Sequence, residues 1–146
     1  MKRHLVFEEL SKDHQQFLLL CWKIRQGIKK GIATERIEKY LTYSFHQILL
    51  PHFEYEENLV FTLLGEHHPF VSDALQEHEV LKELIESGFT DTNDLEKFCS
   101  ILEIHIRREE RQIYPEIERQ AGSRKLTQLT VKKASVTSSF EDEFWV

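Results

Sequence analysis

The stretch FEELSKDHQQFLLLCWKIRQGI, residues 7–28, decides the fold. In it Phe7, Leu10, His14, Phe17, Cys21, Ile24 and Ile28 recur at alternating spacings of three and four. That is the pattern of a helix burying one stripe in a bundle. Lys29-Lys30-Gly31 closes it. A second stretch opens at Thr34, read as an N-cap, and runs to Gly65 with an inward stripe of Ile37, Leu41, Phe45, Ile48, His52, Glu56, Leu59 and Leu63. Pro51 lies within this stripe and is expected to kink the helix without ending it, because the periodicity continues beyond it.

A third stretch begins at Pro69, a favoured first-turn residue, and stops at Gly88, with Val71, Leu75, His78, Leu81 and Ile85 facing inward. The fourth opens with Asn93-x-x-Glu96, read as a capping box, and ends before Gly122. Its stripe is Leu95, Phe98, Leu102, His105, Glu109, Gln112 and Glu116, with Ile101, Ile106, Ile113 and Ile117 alongside; Pro115 is expected to bend its last turns. Long helices joined by a few residues are antiparallel neighbours, so the chain reads as all-α, an up-down-up-down four-helix bundle over residues 1–122. Residues 123–146 form a short C-terminal extension. A frayed end is the favoured reading, with docking of Phe140, Phe144 and Trp145 on the bundle or a partner as the other.

Composition narrows the function classes. The 146 residues carry 25 Asp and Glu against 19 Lys and Arg, a net charge of −6, which disfavours nucleic acid and anionic membranes. No window approaches the roughly 18 apolar residues of a membrane span. Cys21 and Cys99 form no C-x-x-C, and the reading is a reducing cytoplasm without a disulfide framework. There is no Glu-x-x-His, as ferritin-type di-iron bundles require, and His78-Glu79 lacks the second His of a zinc-protease motif. No Gly-rich phosphate loop or nucleophile elbow occurs, and no catalytic turnover is assigned.

Six ionisable groups interrupt the apolar stripes: His14, His52, Glu56, His78, His105 and Glu109, with at least one on every helix. Burying two carboxylates without compensation costs several kcal/mol each, and no Lys or Arg shares their faces. Bound cations compensate them, and imidazole plus carboxylate suits iron, manganese or zinc. Helix rise tests whether the six can meet. His14 and His52 lie roughly 24 and 27 Å from the first turn, and Glu56 and His78 about 12 and 13 Å from the second. His105 and Glu109, about 20–25 Å from the third turn, match His78 at about 14 Å more loosely. His52-x3-Glu56 and His105-x3-Glu109 each project two donors from one helix face. Their surroundings repeat: HFEYEENLVF at 52–61 against HIRREERQIY at 105–114.

On these two segments the chain resembles the hemerythrin-like family, the HHE cation-binding domain, over residues from about 5 to 120. The resemblance implies a four-helix bundle holding two iron ions with an oxo or hydroxo bridge. His14 and His52 would then be terminal ligands of one iron, His78 and His105 of the other, and Glu56 and Glu109 the bridging carboxylates. It also implies a small ligand, dioxygen, nitric oxide or peroxide, or a role in sensing or storing iron. Two departures from the family's oxygen carriers stand out. Ala74 and Lys82 flank His78 where carriers have H-x3-H, which should leave one iron more open to solvent. His105-x3-Glu109 replaces H-x4-D, with Glu110 at the other spacing; Glu109 is favoured because Glu110 is rotated off the stripe. The other function class is a bundle with a structural or sensory iron or zinc, whose output is a protein partner, reached through the tail. Glu57 and Glu110 are read as solvated, His67 and His68 as a surface turn, and Tyr43, Tyr55 and Tyr114 as packing residues.

Overall fold

The computed structural model describes residues 4–129 and 140–146. Four antiparallel rods make the bundle. Helix α1 is Leu5–Lys29 and α3 is Pro69–Ser87. Rod α2, residues 34–63, is continuous through Thr34–Ser44, Phe45–Leu49, Leu50–Tyr55, Glu56–Val60 and Phe61–Leu63. Rod α4, residues 92–127, joins Thr92–Arg108, Glu109–Ile113 and Tyr114–Thr127. No strand occurs among the described residues, and none of their helices is long and apolar enough to cross a membrane.

Local chemistry sets the ends, not always at the expected residues. The ring nitrogens of His4 and His68 cap α1 and α3 by accepting from Val6 N and Phe70 N, each at 3.1 Å. Thr34 is the first residue of α2, and Ala33 before it supplies no side-chain cap. The cap of α4 is Asp91, whose carboxylate accepts from Asp94 N at 3.0 Å, so the expected box at Asn93 starts two residues late. Gly122 takes a φ of 73°, which a side chain resists, and interrupts α4 where it was expected to end. The chain then turns helical again to Thr127 and buries Leu126, so the bundle extends past residue 122.

Two segments of α2 and one of α4 are π-helical turns: Phe45–Leu49, Glu56–Val60 and Glu109–Ile113. Pro51 and Pro115 stand in the first turn of the α-helix that follows a π turn. The longer i→i+5 pairing carries the rod up to each ring, so neither proline ends it. A π turn also adds a residue and moves the buried face by one position. Leu59 and Gln112, placed inward by an unbroken 3.6 period, are exposed; Val60, Phe61 and Tyr114 are buried instead, beside Ile113, which the sequence places next to the stripe.

The core is in two parts. One apolar cluster includes Phe17, Ile24, Leu41, Phe53, Leu81 and Leu102; the other includes Phe7, Leu10, Val60, Val71, Ile113 and Tyr114. The ionisable layer lies between them on all four rods. The mismatch in helix height at the α3–α4 corner does not keep the layer apart, since His78 and His105 meet.

Residues 140–146 lie on the α1–α2 end of the bundle. Phe144 is 4 % exposed and covers Gly27, where a Cβ would stand 2.6 Å from its ring. Tyr40 contacts the rings of Phe140, Phe144 and Trp145, Lys23 stands over Trp145, and Arg36 donates twice to Asp142. These seven residues are docked, not frayed. The Ser/Thr-rich part of the expected tail, within 130–139, lies outside the described residues.

Candidate metal centre

All six sequence-predicted residues converge in one layer, each 3 % exposed or less. The imidazoles turn their Nε2 atoms inward and their Nδ1 atoms outward. His14 Nε2 is 3.0 Å and His105 Nε2 3.2 Å from Glu109 Oε1; His78 Nε2 is 3.3 Å and His52 Nε2 3.4 Å from Glu56 Oε1. His78 Nε2 and His105 Nε2 are 3.1 Å apart. Two groups of four donors result: His14, His52, Glu56 and Glu109, and Glu56, His78, His105 and Glu109. Within each, the ligand atoms lie within 4.8 Å of one another, and both groups use both carboxylates. Between the two candidates on α4, Glu109 faces this centre and Glu110 does not.

The donor set fits a metal on the structure's own terms. His52 Nε2, Glu56 Oε1 and Glu109 Oε2 are buried with no hydrogen-bond partner among the described residues. Buried polar atoms are rarely left so, and three in one layer of imidazole and carboxylate suit a divalent or trivalent cation. Without a metal, protons hold the layer together. Burial opposes charging His52, yet the Glu56 carboxylate and the bond to Asp13 outweigh it and hold the imidazole up at about 10. His105 is likewise raised to about 10, against burial, chiefly by Glu109. His14 is raised by its bonds to Glu109 and Glu110, again against burial. Glu109 is held well below the usual carboxylate range because His105 and its other partners overcome the cost of burying it.

An outer ring of acids was missed by the periodicity argument. His14 Nδ1 lies 2.9 Å from Glu110, His52 Nδ1 2.9 Å from Asp13, His78 Nδ1 2.7 Å from Glu57 and His105 Nδ1 2.9 Å from Glu77. Glu57 and Glu110 are therefore not the solvated acids expected; both are partly buried and bonded to site imidazoles. Arg108 Nε donates to Glu77 at 3.0 Å, Lys82 pairs with Glu57 at 3.5 Å, and the Ser11 hydroxyl donates to Glu110 at 2.6 Å. A carboxylate on Nδ1–H fixes the tautomer and leaves the Nε2 lone pair for a metal. The signal was present in the sequence, since an acid is adjacent to His14, to His78 and to each inward Glu.

Tyr114 is a packing residue, as expected, and also reaches into the layer. It packs on Phe7 and stacks on His14, but its hydroxyl also donates to Glu56 Oε2 at 2.7 Å. The π turn begins at Glu109, and Tyr114 is five residues on, so the i→i+5 geometry brings it over the carboxylate. Burial, with the Glu109 and Glu56 charges, pushes the phenol well above its ordinary value. Ala74, expected to leave an opening to solvent, is fully buried in the cluster with Val71, Phe61 and Tyr114; apolar packing closes that end of the layer.

The model of the Hemerythrin HHE cation binding domain matches residues 5–117. No curated protein and no solved structure matches the chain. Two His-x3-Glu pairs and two further histidines meet in one layer of an all-α bundle, inside the matched span. The chain belongs to the hemerythrin HHE cation-binding domain family.

Proposed function

We propose that the domain holds two iron ions and binds or senses a small oxidising ligand, dioxygen, nitric oxide or a peroxide. The observation that carries this reading is the sharing of Glu56 and Glu109 by two four-donor groups. Single-metal sites need no shared carboxylates, whereas a metal pair does. His14 and His52 would hold one ion, His78 and His105 the other, and the two glutamates would span both. Iron bound there supplies a redox-active, Lewis-acidic position for the ligand. The chain does the rest. Asp13, Glu57, Glu77 and Glu110 orient the imidazoles through Nδ1, the two apolar clusters exclude water, and the Tyr114 hydroxyl places a hydrogen-bond donor in the layer. Ala74 offers no donor, so the His78 group has no further His from α3. With both thiols free, we read the protein as working in a reducing cytoplasm.

Metal analysis of anaerobically purified protein, then admission of air with absorption recorded, tests the reading. About two irons per chain and a reversible spectral change support ligand binding. Irreversible bleaching with unfolding makes it an iron or redox sensor. The second reading is a structural or sensory metal whose output is a partner contact, for which the aromatic segment 140–146 would have to leave its seat on the bundle. It predicts stoichiometric zinc, or iron with no response to air.

A further inference from the structure

We propose that Cys21 and Cys99 are a redox-modification site, a dithiol that closes to an intramolecular disulfide tying α1 to α4 when a peroxide is present. These are the chain's two cysteines, 78 residues apart, and the fold brings them face to face. Both are fully buried and free. Cys21 Sγ lies 3.9 Å from the Cys99 carbonyl oxygen, so the two cysteines meet across the α1–α4 seam. A disulfide asks for Cβ atoms about 3.5–4.5 Å apart. Two cysteines that meet across one helix seam would reach that by small adjustments of side chain and helix position, with the bundle kept.

A buried cysteine commonly packs as a small apolar residue. Two such residues have no reason to find each other, and a bundle seam accepts Ala or Val as well. Position adds to the case. Cys21 is seven residues from His14 and Cys99 six from His105, about 10 Å along each rod. Phe17 fills the space between, in contact with the rings of His14 and His52. The dithiol thus sits in the layer next to the candidate metal centre, on the rods that carry His14, His105 and Glu109.

The chemistry balances with hydrogen peroxide as oxidant. One sulfur attacks a peroxide oxygen, the O–O bond breaks, and one water leaves, giving a sulfenic acid. The second sulfur displaces its hydroxyl, the S–S bond forms, and a second water leaves. Two thiols lose two electrons and two protons; the peroxide takes both. The neighbouring Cys21, with burial, pushes the Cys99 thiol well up, so it stays protonated and attacks slowly. With both thiols fully buried, the pair closes under a sustained load of peroxide and not at a trace. The proposal does not depend on a bound metal.

The reduced full chain, both metal-free and iron-loaded, is treated with excess hydrogen peroxide, denatured, alkylated and analysed by peptide mass spectrometry. Both cysteines should lose their alkylation together, with a Cys21–Cys99 cross-linked peptide, a monomer on a non-reducing gel, and recovery of both tags after dithiothreitol. Cys21→Ser and Cys99→Ser should each abolish the cross-link. Two thiols still alkylated after treatment, separate sulfinic acids, or disulfide-linked dimers would each overturn the proposal. The wild-type result stands alone if a Ser variant fails to fold. Closure in the metal-free chain also separates this test from that of the iron reading.

Discussion

Each site imidazole is hydrogen-bonded outward through Nδ1 to an acid of the outer ring, and its Nε2 stands 3.0–3.4 Å from Glu56 or Glu109. That arrangement makes single substitutions severe. His105→Ala removes a donor and leaves Glu109 and Glu77 short of a partner. We expect metal content below half that of wild type and a loss of about 3 kcal/mol of stability, since breaking a buried pair strands the other charge. Metal analysis and urea denaturation check both; full occupancy in this variant would remove His105 from the site. Tyr114→Phe is subtler. It leaves the ring packing and deletes one donor to Glu56 Oε2. Hydrogen bonds to charged groups are worth roughly 1.5–3 kcal/mol, so the metal-free protein should lose about 2 kcal/mol. An unchanged urea midpoint would mean that the hydroxyl bond contributes nothing.

Among the elements, the π turns decide what the sequence could and could not reveal. The α1 stripe was legible because α1 is an unbroken α-helix, and every buried stripe residue from Phe7 to Ile24 sits where a 3.6 period puts it. His105 and Glu109 were legible because the pair ends an unbroken α-helix and opens the π turn, and His52 and Glu56 because their four-residue spacing falls between two π turns, the second of which Glu56 opens. Val60 and the bond from the Tyr114 hydroxyl to Glu56 were not, because they depend on a π insertion that no propensity signals. Asp13 and Glu77 escaped for another reason: helical periodicity ranks residues by the core they face, and these acids flank the core to meet the ring edges. The docked end escaped because position in the chain argues for fraying, whereas the absent side chain of Gly27 makes a seat for Phe144. Gly27→Ala tests that seat. A Cβ there would stand 2.6–2.9 Å from Phe144 and Ile37. Overpacking of this kind costs typically 1–3 kcal/mol. Carboxypeptidase should trim 140–146 several-fold faster than in wild type, with a lowered melting temperature; equal trimming would mean that Phe144 is not held there.

For the molecule as a whole, the protonated layer makes metal-free stability depend on pH in a set direction. His52 and His105 titrate at about 10 when folded and near 6.5 when unfolded. Their raised values contribute fully below 6.5, and the contribution is lost as pH rises through 10. Glu109 is depressed, so its contribution is present above about 4.5 and lost as pH falls toward its folded value. The metal-free protein should therefore be most stable between about 4.5 and 6.5, with urea midpoints falling steadily at pH 8 and pH 10; a profile flat to pH 10 would contradict this. Metal ligation needs the same nitrogens deprotonated. Metal uptake at pH 7 should release protons, measurable as a buffer-dependent binding heat.

The separation of the core into two oil-like compartments has its own consequence. With its cations stripped, the bundle keeps a buried polar layer across its waist, where imidazole–carboxylate pairs stand in place of continuous apolar packing between the halves. Hydrogen–deuterium exchange should find the two ends breathing independently in that state and in concert once the layer is riveted by metal. Loading the centre would then do more than equip it: it would turn two small cooperative units into one.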